Sequence, residues 1–220
     1  MAQTFTATAN SSSTIGYALY GSSSWNTGSS NGACQGAYQG TTAAKSRVGI
    51  MVFTNAGTTL KGKVIQSIKF SITCSAAGSS GSSKVLTFKQ ANYQSPASGL
   101  KGSDLVGSVL GTLTGKFYNN TTTHTLSASS NASFFSNLAA YLSAGNQTLV
   151  IHNGETSSSS GYSTNYARIS SITITVTYVA ATVWYNNGGT WVQCAVYYNN
   201  NGTWVQVTPY YNSGGSWIQV

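Results

Sequence analysis

Alternation of apolar and polar positions dominates the chain and predicts strands. Val48, Ile50 and Val52 share one face of a strand over Arg47–Phe53 at period two. The strongest pattern is Lys63–Cys74. There Val64, Ile68, Phe70, Ile72 and Cys74 are assigned to one face, and Lys63, Lys69, Ser71 and Thr73 to the other. Lys84–Gln90 places Leu86 and Phe88 inward, and Ile169–Tyr178 alternates Ile172, Ile174, Val176 and Tyr178 with threonines. Gln3–Ala9, Thr14–Tyr20 and Gln147–His152 are further candidates, with a weaker one over Leu105–Leu113. Gly21–Gly40 reads as loop anchored by Trp25 and Tyr38, and 91–120 as otherwise loop-rich.

One segment breaks the period. Phe134, Phe135, Leu138, Tyr141 and Leu142 follow helical spacing, with Asn131 as N-cap and Gly145 as the residue that ends the helix. The expected fold is all-β: a jelly-roll-like β-sandwich of about eight strands with one short helix, over residues 1–180.

After Tyr178 the sequence repeats. Val183–Cys194, Val196–Val207 and Pro209–Val220 each carry an aromatic pair, an Asn/Gly turn and Thr/Ser-Trp-Val/Ile-Gln, with Trp191, Trp204 and Trp217 spaced by 13 residues. Asn and Gly tolerate the positive φ that tight hairpin turns demand. Each unit is therefore expected to form one β-hairpin, giving three in tandem over 181–220. Trp191, Trp204, Trp217, Tyr185, Tyr198 and Tyr211 are the candidate binding residues. Their aromatic faces suit sugar rings or quaternary amines. The competing expectation, favoured because a lone hairpin is marginal, is that the tryptophans pack.

Composition narrows the functions. Only 5% of residues are charged, and the formal net charge is +8. All ten basic residues lie between Lys45 and Arg168, and nothing after residue 180 is charged. A basic body favours anionic partners in principle, but no Lys/Arg run or nucleic-acid motif accompanies it, so solvated strand faces are expected. No apolar stretch is long enough for a membrane span. Met1–Thr6 lacks the basic and apolar regions of a signal peptide. Cys34, Cys74 and Cys194 are odd in number and widely spaced, and reduced thiols are expected.

Catalytic chemistry is poorly supplied. Asp104 and Glu155 are the only carboxylates, and a glycosidase needs a pair. His124 and His152 lack zinc-site spacing. No nucleophile elbow or phosphate-binding loop appears. No enzyme activity, cofactor or metal is expected.

Residues 45–178 resemble the carbohydrate-binding-like jelly rolls called DNRLRE domains. The likeness runs through Ser46–Phe53, Lys63–Ile72, the helix Phe134–Leu142 with Gly145, Thr148–His152 and Ala167–Tyr178. It implies a fold and no residue-level function. The tail is similar to the Tyr-x-Asn-Gly-x-Trp repeats that end tail and other virion proteins of phages of Gram-positive bacteria, and, less closely, to choline-binding repeats. This resemblance, with the low charge and the signal-free start, implies a phage virion structural protein: a tail, fibre or decoration component that contacts the host surface. Such a protein folds in the host cytoplasm and then resides in the virion. The implied partners are other virion subunits or further copies of itself, and host cell-wall polysaccharide. The alternative is a carbohydrate- or cell-wall-binding module of a bacterial surface protein.

Overall fold

The structure is a computed structural model that describes residues 2–23, 25–37, 46–75, 82–95, 100–155, 165–180, 183–194, 196–207, 210–213 and 216–219. The fold is all-β, with a sandwich-like arrangement of antiparallel strands. Eleven strands form the body: β1 (Gln3–Ala9), β2 (Ile15–Leu19), β3 (Trp25–Thr27), β4 (Ala33–Ala37), β5 (Ser46–Val52), β6 (Lys63–Cys74), β7 (Lys84–Ala91), β8 (Val106–Gly115), β9 (Asn120–Leu126), β10 (Thr148–Ile151) and β11 (Ala167–Ala180). One layer runs β1-β11-β6-β9 and the other β3-β2-β5-β10-β7-β8. β4 joins them: Ala33–Gln35 pair with β11, while Gly36 and Ala37 pair with β5.

The layers meet over one apolar core because alternation turns every second residue inward. Ile68, Phe70 and Ile72 of β6, Ile172, Ile174 and Val176 of β11, and Leu86 and Phe88 of β7 are buried there. The opposite face of the β11 layer is hydroxylated. Thr8 and Thr173 meet at 2.8 Å, Thr73 and Thr121 at 3.0 Å, and Thr6 donates to Thr175 at 3.4 Å. Cross-strand hydroxyl pairs of this kind support a sheet without charge.

The expected alternation of β6 fails at its start. Thr177 pairs with Ser67 but Tyr178 with Ile65, so Gln66 is an extra residue. This bulge reverses the parity, and Ile65 is buried while Val64 is not.

Among the described residues three helices are present where one was expected: α1 (Ala56–Thr59), α2 (Gly102–Leu105) and α3 (Ala132–Ser143). The first two are single turns, too short to show a period. In α3 the buried residues are Phe134, Phe135, Leu138, Tyr141 and Leu142, the expected stripe. Phe134 stacks on Phe70 at 6.3 Å and lies 5.4 Å from Phe88, so the helix joins both layers. Tyr141 fixes the same helix by polar contacts: its hydroxyl donates to Thr148 O (2.8 Å) and accepts from Ala91 N (3.0 Å) and Gln94 Nε2 (2.8 Å). Asn131 holds the N-cap position but makes no side-chain cap; its φ of 55° shows that it serves the left-handed backbone instead. Gly145 follows the helix with φ 95°.

Strands β3, β4 and β9 were not expected. β4, Ala-Cys-Gln-Gly-Ala, is buried at every position and therefore shows no alternation. Gln35 satisfies its own burial by donating to Val85 O (2.6 Å) and Asn165 O (2.9 Å) and accepting from Thr87 N (3.0 Å). Tyr38 lies outside the described residues, and so does the side chain of Trp25.

Candidate functional site

The C-terminal repeats form three hairpins: β12 (Val183–Asn187) with β13 (Thr190–Cys194), β14 (Val196–Asn200) with β15 (Thr203–Val207), and β16 (Tyr210–Ser213) with β17 (Ser216–Gln219). Each is a separate two-stranded sheet. In the first two, two residues close the turn, both at positive φ: Gly188 (60°) and Gly189 (93°), then Asn201 (50°) and Gly202 (89°). That is the type I′ pattern, whose twist matches the strands it joins. Asn199 Oδ1 accepts from Gly202 N at 2.6 Å and braces the second turn.

The turn fixes the register, and the register divides the candidate residues. Trp204 faces Asn199 and Tyr197 faces Gln206, whereas Tyr198 faces Val205 and Val196 faces Val207. Cross-strand partners share a face and successive residues alternate. Tyr197, Asn199, Trp204 and Gln206 thus occupy one face; Val196, Tyr198, Val205 and Val207, with Asn200 and Thr203 beside the turn, occupy the other. The first hairpin repeats this with Trp184–Gln193 and Asn186–Trp191 against Tyr185–Val192 and Val183–Cys194. The third repeats it with Tyr210–Gln219 and Asn212–Trp217 against Tyr211–Ile218. The six candidate residues therefore do not form one surface: Trp191, Trp204 and Trp217 lie on one face of their hairpins, and Tyr185, Tyr198 and Tyr211 on the other. Alternation along the second arm already places each Trp and Gln on a shared face; Trp184, Tyr197, Tyr210 and the Asn positions were missed as further members of it. A two-residue Asn-Gly turn counted outward from its centre would have found them.

The central hairpin shows how open this face is. Trp204 is 67% exposed and Tyr197 51% exposed, while Val205 on the other face is 36% exposed. Trp204 is thus largely uncovered by the described residues. Gln206 and the side chains of Trp191, Trp217, Tyr185, Tyr198 and Tyr211 lie outside the described side chains.

The body holds three arrangements of chemical interest. In the first, Arg47 lies 4.2 Å from the Tyr17 ring centre and 5.7 Å from that of Tyr166, and donates to Tyr166 Oη at 2.7 Å. Cys34 is buried beside it, with Sγ 3.8 Å from Arg47 Nη1. Burial pushes the Cys34 and Tyr166 pKa values up, in Cys34 against the pull of Arg47. Arg47 and Lys84 are the basic residues that depart from the expected solvated faces: Lys84 is buried, and burial lowers its pKa. Cys34 and Cys74 are free thiols, Cys74 pushed up to about 12 by burial; the Cys194 side chain lies outside the described ones.

The second arrangement brings Ser46, His152 and Glu155 together. His152 Nε2 is 2.9 Å from the Glu155 carbonyl and 3.4 Å from Ser46 Oγ. A carbonyl only accepts, so Nε2 carries the proton. The nitrogen nearest Ser46 is therefore not a free base. The Glu155 carboxylate instead accepts from Ala37 N at 3.1 Å. Asp104 is engaged comparably, accepting from Lys101 N at 3.0 Å. His124 sits against Phe117 at 5.6 Å, and burial lowers its pKa. Among the described residues, no three His, Cys, Asp or Glu side chains cluster as metal ligands.

The third is a groove of about 630 Å³ between β7, β8 and α3, lined by Gln90, Asn92, Gln94, Asn137, Tyr141 and Asn146 among others. Most of these amides already serve the fold. Gln94 Oε1 accepts from Gln147 N and Thr148 N, and Asn137 donates to Leu110 O.

No protein-family model matches the chain, and no curated protein sequence matches it. No helix among the described residues is long and apolar enough to cross a membrane.

Proposed function

We propose that the chain is a non-catalytic structural component of a phage-type particle, in the tail, a fibre or the surface decoration, and that the hairpins are its interaction arm. The observation that carries this reading is the tail geometry: three hairpins of one register, with Trp204 two-thirds exposed. A domain whose core is already filled gains nothing internally from such units, and exposed aromatic surface is a feature of contact sites. The resemblance of the repeats to those of phage virion proteins points the same way. The engaged carboxylates and the proton on His152 Nε2 favour a structural role for the polar residues of the body.

The Tyr/Val face of the hairpins supports assembly. Val196, Tyr198, Val205 and Val207 give it the apolar character of a subunit contact. The alternative, a wall-binding module of a bacterial surface protein, draws on the tryptophan face. Mass spectrometry and immunogold labelling of purified phage particles separate the two. The chain is expected in intact particles at a fixed ratio to the other structural subunits; its absence from them contradicts the virion reading.

A further inference from the structure

We infer that the Tyr197–Asn199–Trp204–Gln206 face and its counterparts, Trp184–Asn186–Trp191–Gln193 and Tyr210–Asn212–Trp217–Gln219, are three equivalent binding sites for an uncharged polysaccharide. This deepens, and rests on, the reading of the hairpins as an interaction arm.

Packing and binding compete for the tail aromatics when the sequence is read as a line. The register assigns them to different sides. One side repeats Tyr with Val or Ile and is apolar away from the turn, where an Asn–Thr or Ser–Ser pair ends it. The other repeats two aromatics with two carboxamides. Asn and Gln contribute nothing to an apolar contact and cost free energy if buried without partners. Beside an exposed indole they have a use. A pyranose presents a CH-rich face that stacks on an aromatic ring and a rim of hydroxyls that both donate and accept. A carboxamide also does both. In the central hairpin Asn199 Oδ1 is held by Gly202 N, which orients the amide and presents its NH2 donors for a hydroxyl oxygen. Tyr197 lies diagonal to Trp204 across the strands, at about 7–8 Å in such a ladder, so one short oligosaccharide touches both rings.

The charge of the tail selects among ligands. Nothing after residue 180 is charged, so no cation complements a phosphate or sulfate; a quaternary amine can lie on the rings but neither donates nor accepts hydrogen bonds, and so leaves the Asn and Gln positions unused. A neutral glycan is the ligand whose chemistry matches. The 13-residue repeat supplies the same four positions three times. A polymeric ligand can then engage several hairpins at once, and avidity raises the overall affinity well above that of one site.

The test uses the full chain on an array of neutral wall polysaccharides and their oligosaccharides, with phosphocholine and teichoic acid as charged comparators. Affinity for the best-retained soluble neutral oligosaccharide is then measured by calorimetry. Trp204→Ala is expected to weaken that binding and the Trp191/Trp204/Trp217 triple alanine variant to remove it, a loss of at least about tenfold, as for a hot-spot aromatic. Tyr198→Ala, on the opposite face, is expected to leave the affinity for the short oligosaccharide within about threefold. Circular dichroism and light scattering accompany each variant. Unchanged oligomeric state in Trp204→Ala with lost glycan binding supports the inference. Retention of charged comparators only, of no glycan at all, or equal losses in Trp204→Ala and Tyr198→Ala overturns it. The assembly reading is scored separately by light scattering of Tyr198→Ala, so the two can fail independently.

Discussion

At His152 a polar ring is buried to 2% exposure, stacked 4.9 Å from Tyr20, with Nδ1 lacking a hydrogen-bond partner among the described residues. Burial, the largest cause, lowers its pKa, as it does for His124. Lowered histidine pKa values mean that the unfolded chain takes up protons first as pH falls. Stability is therefore full above the ordinary histidine value of about 6.5 and declines below it, until the folded-state pKa values are passed. The slope is at most about 1.4 kcal/mol per pH unit for each histidine. Urea denaturation at a series of pH values from 7.5 to 5, the range in which an unperturbed histidine titrates at about 6.5, is expected to show this decline. His152→Gln is expected to reduce the slope, since the more buried of the two linked groups is gone. An unchanged slope in that variant would mean that His152 does not hold its neutral form.

At the scale of elements, legibility followed period. β6 and α3 were readable because each buries one face over several residues, and the α3 stripe matches the buried set residue for residue. β4 was not readable, because a strand buried at all five positions has no polar phase. β9, Asn-Thr-Thr-Thr-His-Thr-Leu, buries only Leu126, so its inward side resembles its outward side. The bulge at Gln66 was invisible because it depends on the partner strand. In the tail, the hairpins were legible from turn chemistry, but the division of their aromatics by face required the pairing register. The junction of α3 and β8 gives a direct check on how the helix closes the sandwich. A Cβ on Gly111 would overlap the Phe134 ring. Gly111→Ala is thus expected to lower stability by about 1–3 kcal/mol, as overpacking does. Chemical denaturation measures it, and no loss would show that the helix yields without cost.

At the scale of the whole molecule, the body and the tail solve opposite problems. The sandwich buries Phe70, Phe88, Phe117, Phe134 and Phe135 in its core and covers a charge-poor surface with threonine hydroxyls. In the tail, the central hairpin leaves Tyr197 and Trp204 outside, on a unit too small for a core of its own. On the proposed reading, the tail's Tyr/Val faces contact further copies and its Trp/Asn/Gln faces contact ligand. The reading of the tail as an interaction arm is tested most directly by removing it after Ala180, the last residue of β11. Circular dichroism and multi-angle light scattering of the truncated and full chains, at equal concentration, give the answer. The expected result is a folded sandwich that has lost the oligomeric state of the full chain. A truncated chain with the same oligomeric state as the full one would contradict assembly through the hairpins.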